Sequence, residues 1–285
     1  MKKIKYFIEF IVIKLFFIIC KLIGYRFSSD LGFYIGGTFG GIFRNRTSII
    51  QNLKKSKILI ETTENKFAKN VLGNYGRILA EYPFLKEFRN NNLSSYIEID
   101  GIDNLEQIKK NNKPVVFISG HFSNFELMAM QIEKSGINLA AIYRPLNNIF
   151  LNKNMEYIRT NYICKNQIKK GRSGTRQILE NLKQGNSIAL MIDQRVTEGI
   201  KINFFGDLAS TTTIPAQIIK KYMCDLVPIY IERNRKHYFK MYVSQPIVIN
   251  LEKSQEEISK HLNKILEKMI LKNPDQWIWS HNRWK

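Results

Sequence analysis

Apolar positions along this chain fall into two regimes. From Tyr6 to Ile23 they are nearly continuous, broken only by Glu9, Lys14 and Lys21. Beyond about residue 96, short apolar runs alternate with segments whose apolar residues recur at helical spacing. The runs at 96–100, 114–119, 139–143, 187–192 and 226–231 read as strands, and 238–243 reads as a hairpin partner of the last. Helices are expected at 65–84, 125–134, 148–162, 175–183 and 256–271. Strand–helix alternation with continuously apolar strands predicts an α/β fold, with a mixed, largely parallel sheet flanked by helices. In such sheets functional groups gather where strands end and helices begin.

The amino-terminal run is awkward for a bilayer. Its 18 residues would reach roughly 27 Å as a helix, and a charge such as Lys14 near the middle costs about 2.5–3.5 kcal/mol on insertion scales. A cleaved signal peptide would need a small-x-small site and an uninterrupted apolar centre, and neither is clear. The expected organisation is a hydrophobic membrane anchor over residues 1–25 and a single α/β domain over 26–285, with an interfacial helix as the competing reading of the anchor. No repeat or Pro/Ser-rich linker divides the remainder.

Charge adds a partner class. The chain has 44 Lys and Arg against 24 Asp and Glu, a formal net charge of +20. That balance suits a polyanion such as an anionic membrane surface or a phosphorylated substrate, although a Lys-, Asn- and Ile-rich composition also reflects codon bias. No nucleic-acid-binding motif is present. Cys20, Cys164 and Cys224 are too widely spaced for a disulfide framework, and His121, His237, His261 and His281 lack metal-ligand spacing, so no metal site is expected.

The chemistry-bearing segment is residues 119–127, Ser-Gly-His-Phe-Ser-Asn-Phe-Glu-Leu, directly after a buried strand. With His121 on the turn and Glu126 in the first helical turn, the carboxylate can fold back to orient the imidazole and stabilise its protonated form. Ser123-x-x-Glu126 also reads as a capping box, which would make both residues structural.

Here the sequence resembles a known family, the bacterial lipid A late acyltransferases of lauroyl and myristoyl type. The resemblance rests on His121-x4-Glu126, then Tyr143-Arg144-Pro145-Leu146-Asn147-Asn148, Arg159 in the following helix, and Asp193-Gln194 at a strand end. Phe204-Phe205-Gly206 and Thr211-Thr212-Thr213 follow in order. The chain closes on Gln276-Trp277-Ile278-Trp279-Ser280-His281-Asn282-Arg283-Trp284, similar to the family's Gln-Trp-x-Trp-x-His-x-Arg-Trp ending. Ile214 departs from the glycine that commonly follows the threonines.

The resemblance implies a glycerol-3-phosphate acyltransferase-like fold. It implies transfer of a fatty acyl chain from acyl carrier protein to a hydroxyl of a Kdo-bearing lipid A precursor, with the thioester as co-substrate and no cofactor. His121, Glu126, Arg159 and Asp193 are then the expected catalytic residues. Arg144, Asn124, Gln194 and Phe205 are the expected substrate-binding residues. The expected partners are acyl carrier protein, an anionic glycolipid and the bilayer, at a bacterial inner membrane with the site on its cytoplasmic face. Another glycolipid or a lysophospholipid is the alternative acceptor, and a non-catalytic basic membrane-binding protein the alternative class. The Gly171–Arg176 stretch reads as a turn plus helix start more readily than as a phosphate loop, and Phe204 and Phe205 as acyl pocket or core. The carboxyl-terminal tryptophans, with Arg283 and Lys285, suggest an interfacial edge or simple packing.

Overall fold

A computed structural model describes residues 2–285, the Arg172 side chain excepted, so Met1 of the expected anchor lies outside the described residues. Seven strands form one sheet: β1 (Ile97–Asp100), β2 (Val116–Ser119), β3 (Leu139–Tyr143), β4 (Asn166–Lys169), β5 (Ser187–Met191), β8 (Leu226–Arg235) and β9 (Tyr238–Val243). A separate hairpin pairs β6 (Ile200–Phe204) with β7 (Asp207–Thr211). The sheet order is β1-β9-β8-β2-β5-β3-β4, and only the β8–β9 pair is antiparallel. All four residues of β2 are buried, as the interior strand of a covered parallel sheet requires.

The expected strands at 139–143 and 238–243 match β3 and β9. The expected helices correspond to α4 (Glu64–Glu81), α7 (Glu126–Lys134), α8 (Ile149–Ile158), α9 (Arg172–Lys183) and α11 (Gln255–Lys272). One helix ends differently: α8 gives way to a π-helical turn over Arg159–Ile163. Other elements are additions: α2 (Tyr25–Phe39), α3 (Arg46–Ser56), α5 (Leu85–Arg89), α6 (Ile102–Asn111), α10 (Ile214–Tyr222), β4 and the hairpin. β4 lies at the sheet edge and buries only Ile168 of its four residues, so no apolar run announces it.

The first helix, α1 (Lys2–Ile23), turns the three charges that interrupt its apolar run toward neighbouring elements. Lys14 Nζ donates to Asn154 Oδ1 (2.8 Å), Glu9 accepts from Asn148 Nδ2 (2.9 Å), and Lys21 pairs with Glu87 (2.9 Å). Ile4, Ile8, Ile11, Leu15, Ile18 and Leu22 share the opposite face and are all exposed. No described helix is long and apolar enough to cross a membrane.

Helix α2 packs on α4 almost backbone to backbone. A Cβ at Gly76 would overlap the Gly32 carbonyl oxygen, and one at Gly36 would overlap that of Leu72. This contact sets the position of the carboxyl end of α4, where Glu81 is fully buried. Glu81 accepts from Ser29 Oγ (2.7 Å) and Asn124 Nδ2 (3.0 Å) and pairs with Arg233 of β8 (2.8 Å). The helical hairpin is thereby tied to the loop after β2. Gly76→Val is expected to destabilise the fold by about 1–3 kcal/mol or more through overpacking, measured as a lowered midpoint in chemical denaturation.

Candidate active site

Register brings the first pair together. β2 and β5 are adjacent and parallel, with Ser119 opposite Met191, and the pairing continues as Ile192 N–H donates to Ser119 O (2.9 Å). Two residues past each strand, His121 therefore faces Asp193. One Asp193 oxygen, Oδ1, lies 2.8 Å from His121 Nδ1. The other, Oδ2, accepts the His121 backbone N–H (2.7 Å) and the Trp277 indole N–H (2.9 Å).

Burial alone would raise the Asp193 carboxyl, yet the His121 charge and these donors outweigh it and hold it below the usual carboxylate range. An ionised carboxylate only accepts, so neutral His121 carries its proton on Nδ1 and keeps a lone pair on Nε2. Asp193 has no exposed surface, whereas the His121 side chain is 18% exposed. The imidazole is reachable and its orienting carboxylate is sealed.

Glu126 does not steer His121, contrary to the sequence expectation. Ser123 turns the chain at φ 43°, helix α7 begins at Glu126, and Asp193 already occupies Nδ1. Glu126 Oε1 instead accepts from Arg159 Nη2 (2.8 Å), Arg159 Nε (3.1 Å) and the Tyr82 hydroxyl. Asp193, for its part, binds His121 rather than Arg159. The capping box is absent too: Phe125 is the N-cap and supplies no side-chain bond.

The Glu126 carboxylate and Tyr82 hold Arg159 above its usual range against the opposing effect of burial. Burial and Glu126 push the Tyr82 phenol well up, so it donates rather than ionises. Arg159 Nη1 is buried with no partner among the described residues.

These groups border a cavity of about 670 Å³, within the range of small-molecule sites. Ile142, Ile178, Leu190 and Met191 supply apolar wall. Arg44, Arg144, Lys169 and Lys170 supply positive charge. Burial, and then Arg144, lower the Lys170 ammonium. Of the expected site residues, His121, Glu126, Arg144, Arg159 and Gln194 line the cavity.

Asp193, sealed behind His121, does not, and neither do Asn124 and Phe205. Asn124 is wholly buried and donates to Glu81, a structural task. Phe205 sits in the β6–β7 turn, where its backbone N–H donates to Glu267 (2.7 Å). Phe204 is core. Gly171 is the N-cap of α9, and Thr213 is that of α10 with Pro215 in its first turn, so both stretches open helices.

The carboxyl terminus is no interfacial edge. Trp277, Trp279, Arg283 and Trp284 are all buried. Arg283 donates to Ser210 O and to Thr211 Oγ1 (2.9 Å), and burial pushes its pKa down to about 10. Residues 276–277 bridge the loop after β2: Phe122 pairs with Trp277, and Ser123 N–H donates to Gln276 O (2.9 Å). His281 also reaches the cavity, its Nε2 accepting the Arg195 backbone N–H (2.9 Å), and burial lowers its pKa. Tyr82, Trp277 and His281 were not singled out from sequence as site residues. The tryptophan and histidine lay in a recognisable motif, whereas nothing distinguished Tyr82 from other helix-end tyrosines.

Replacing Asp193 by Asn tests the orientation. The single remaining oxygen would serve the His121 and Trp277 N–H groups, turning the amide NH₂ toward Nδ1. Neutral His121 is then expected to move its proton to Nε2, read from its ¹⁵N imidazole shifts. A proton retained on Nδ1 would refute the arrangement.

A family model for bacterial lipid A biosynthesis acyltransferases matches residues 1–285. The chain is 24% identical to the lipid A biosynthesis palmitoleoyltransferase of Escherichia coli K12 over 229 residues, 79% of this chain and 73% of that protein. It is 25% identical to the lauroyltransferase of the same organism over 239 residues, covering 79% and 74%. With the myristoyltransferase the figures are 22% over 188 residues, covering 64% and 57%. The chain belongs to the bacterial lipid A biosynthesis acyltransferase family and is an enzyme of that class.

Proposed function

We propose that the enzyme moves a fatty acyl chain from acyl carrier protein to a hydroxyl of a Kdo-bearing lipid A precursor, with His121 as general base. The observation that carries this reading is the accessible imidazole backed by a buried carboxylate at the edge of a largely apolar cavity. His121 Nε2 takes the acceptor hydroxyl proton, and the oxygen attacks the thioester carbonyl carbon. The resulting oxyanion collapses, the C–S bond breaks, and the imidazolium returns the proton to the departing thiolate. Asp193 stabilises the imidazolium meanwhile. General-base assistance of this kind contributes about 10²–10⁴ in rate.

Arg159 holds a spare donor, Nη1, suited to developing oxyanion charge. Glu126 and Tyr82 position that guanidinium and are not part of the proton path. Arg144 and Gln194 are substrate contacts in this scheme, with the Arg44, Lys169 and Lys170 charges suited to the acceptor's phosphates and carboxylates.

Direct transfer is favoured over an acyl-enzyme by the available nucleophiles. Cys20, Cys164 and Cys224 are buried, and burial pushes the latter two thiols up to about 12 and about 11. Ser123 is only 2% exposed. The outward apolar row of α1 supports residence on a bacterial inner membrane as an associated helix, with the site on the cytoplasmic face where the donor is found.

Incubation with labelled acyl carrier protein thioester and a Kdo-bearing precursor should give acylated product. His121→Ala should lower turnover by roughly 10²–10⁴. Product only on a lysophospholipid would overturn the acceptor, and label trapped on protein from donor alone would overturn direct transfer. Arg159→Lys should cut kcat by roughly tenfold or more with a smaller change in KM, because a single ammonium nitrogen cannot reproduce the planar two-nitrogen hold on Glu126 and extend a third nitrogen beyond it. Unchanged kinetics would reduce Arg159 to a structural charge.

A further inference from the structure

A second hollow, of about 380 Å³, lies between α1, the turn and short helix after α4, and the end of α8. Its apolar walls are Phe17, Ile18, Leu22, Pro83, Ile158 and Tyr162. Three ammonium groups border it, from Lys14, Lys21 and Lys86, and none of its lining residues carries a carboxylate. Lys21 is neutralised from outside by Glu87 (2.9 Å). Lys14 is held by the neutral Asn154, and Lys86 has no carboxylate within 4.0 Å among the described residues. Two cations beside apolar walls call for an anion that brings its own apolar surface. Ile18 and Leu22 also belong to the outward row of α1, so the groove opens onto the face suited to lipid.

We propose that this groove binds an anionic bilayer phospholipid, one acyl chain lying along the apolar walls and the headgroup phosphate among the lysines. Inorganic phosphate would gain nothing from the six apolar residues. A zwitterionic lipid would match the walls but not the net charge, for which each lysine near the phosphate adds attraction. The site is separate from the catalytic cavity, yet Tyr82 lines both. An occupant therefore lies against the ring whose hydroxyl bonds Glu126 and Arg159. The inference rests on α1 lying in the bilayer and is independent of the chemistry at His121.

The test uses the full chain in phosphatidylcholine nanodiscs that contain some phosphatidylglycerol with a photoreactive acyl terminus. Cross-links are expected on peptides spanning 14–22, 82–86 and 154–162, competed by unlabelled phosphatidylglycerol but not by phosphatidylcholine. Lys14→Gln with Lys86→Gln should lower the yield by roughly tenfold or more. Ile18→Trp, which fills the groove while keeping the outer face apolar, should abolish labelling yet preserve flotation with vesicles. Labelling spread evenly along α1, or undiminished in both variants, would mean surrounding lipid only and would overturn the site alone. Failure of the parent chain to float with vesicles would overturn the bilayer reading and this inference together, whatever its activity.

Discussion

A single buried carboxylate organises the mouth of the main cavity in this protein. Asp193 receives three N–H groups from two separate stretches of chain: the loop after β2 and the carboxyl-terminal segment. Taking an ion out of water costs several kcal/mol, and only well-aligned donors offset it; hydrogen bonds to charged groups are worth about 1.5–3 kcal/mol each. The backbone and indole donors on Oδ2 are fixed by the fold and do not titrate in the physiological range. They keep the carboxylate ionised while the imidazole changes charge, the condition for stabilising an imidazolium without receiving its proton.

That arrangement explains why the last residues of the chain are in the core. Trp277 completes the Asp193 donor set, Gln276 and Trp277 bridge the loop bearing His121, and Arg283 secures the β6–β7 hairpin. On the other side, Asn124 is anchored to Glu81, which α2 positions through glycine contacts with α4. The loop from Gly120 to Phe125 is thus held from both directions. For the proposed reaction such rigidity matters, because a general base must be placed within hydrogen-bond reach of its proton.

The central strands and the longer helices were legible because they carry continuous or periodic apolar residues, as in the fully buried Val116–Ser119 and in Leu139–Tyr143, where Leu139 and Ala140 are buried. The edge strand β4 and the π turn after α8 were not, since neighbours define them rather than local apolar pattern. The site residues His121, Glu126 and Arg159 could be named from motif order, and all three reach one cavity. Their partners could not be assigned. Proximity in sequence favoured Glu126 for His121, whereas strand register, invisible in the primary structure, delivered Asp193 from 72 positions away. Asn124 was misread because a polar residue beside a motif resembles a ligand until its buried partner is seen.

Separating the two acid–base pairs has a chemical consequence. If Glu126 served the imidazole, Arg159 would lose its carboxylate and sit half-desolvated beside Tyr143, over whose ring it lies at 5.5 Å. With Asp193 on His121 and Glu126 on Arg159, each titrating or cationic group has its own counter-charge. The proton can then arrive on the imidazole without disturbing the guanidinium. Both other guanidinium nitrogens are committed to Glu126, while the buried Nη1 has no partner among the described residues. The geometry suits a reaction in which a proton and an oxyanion develop at different points and must be met by different groups.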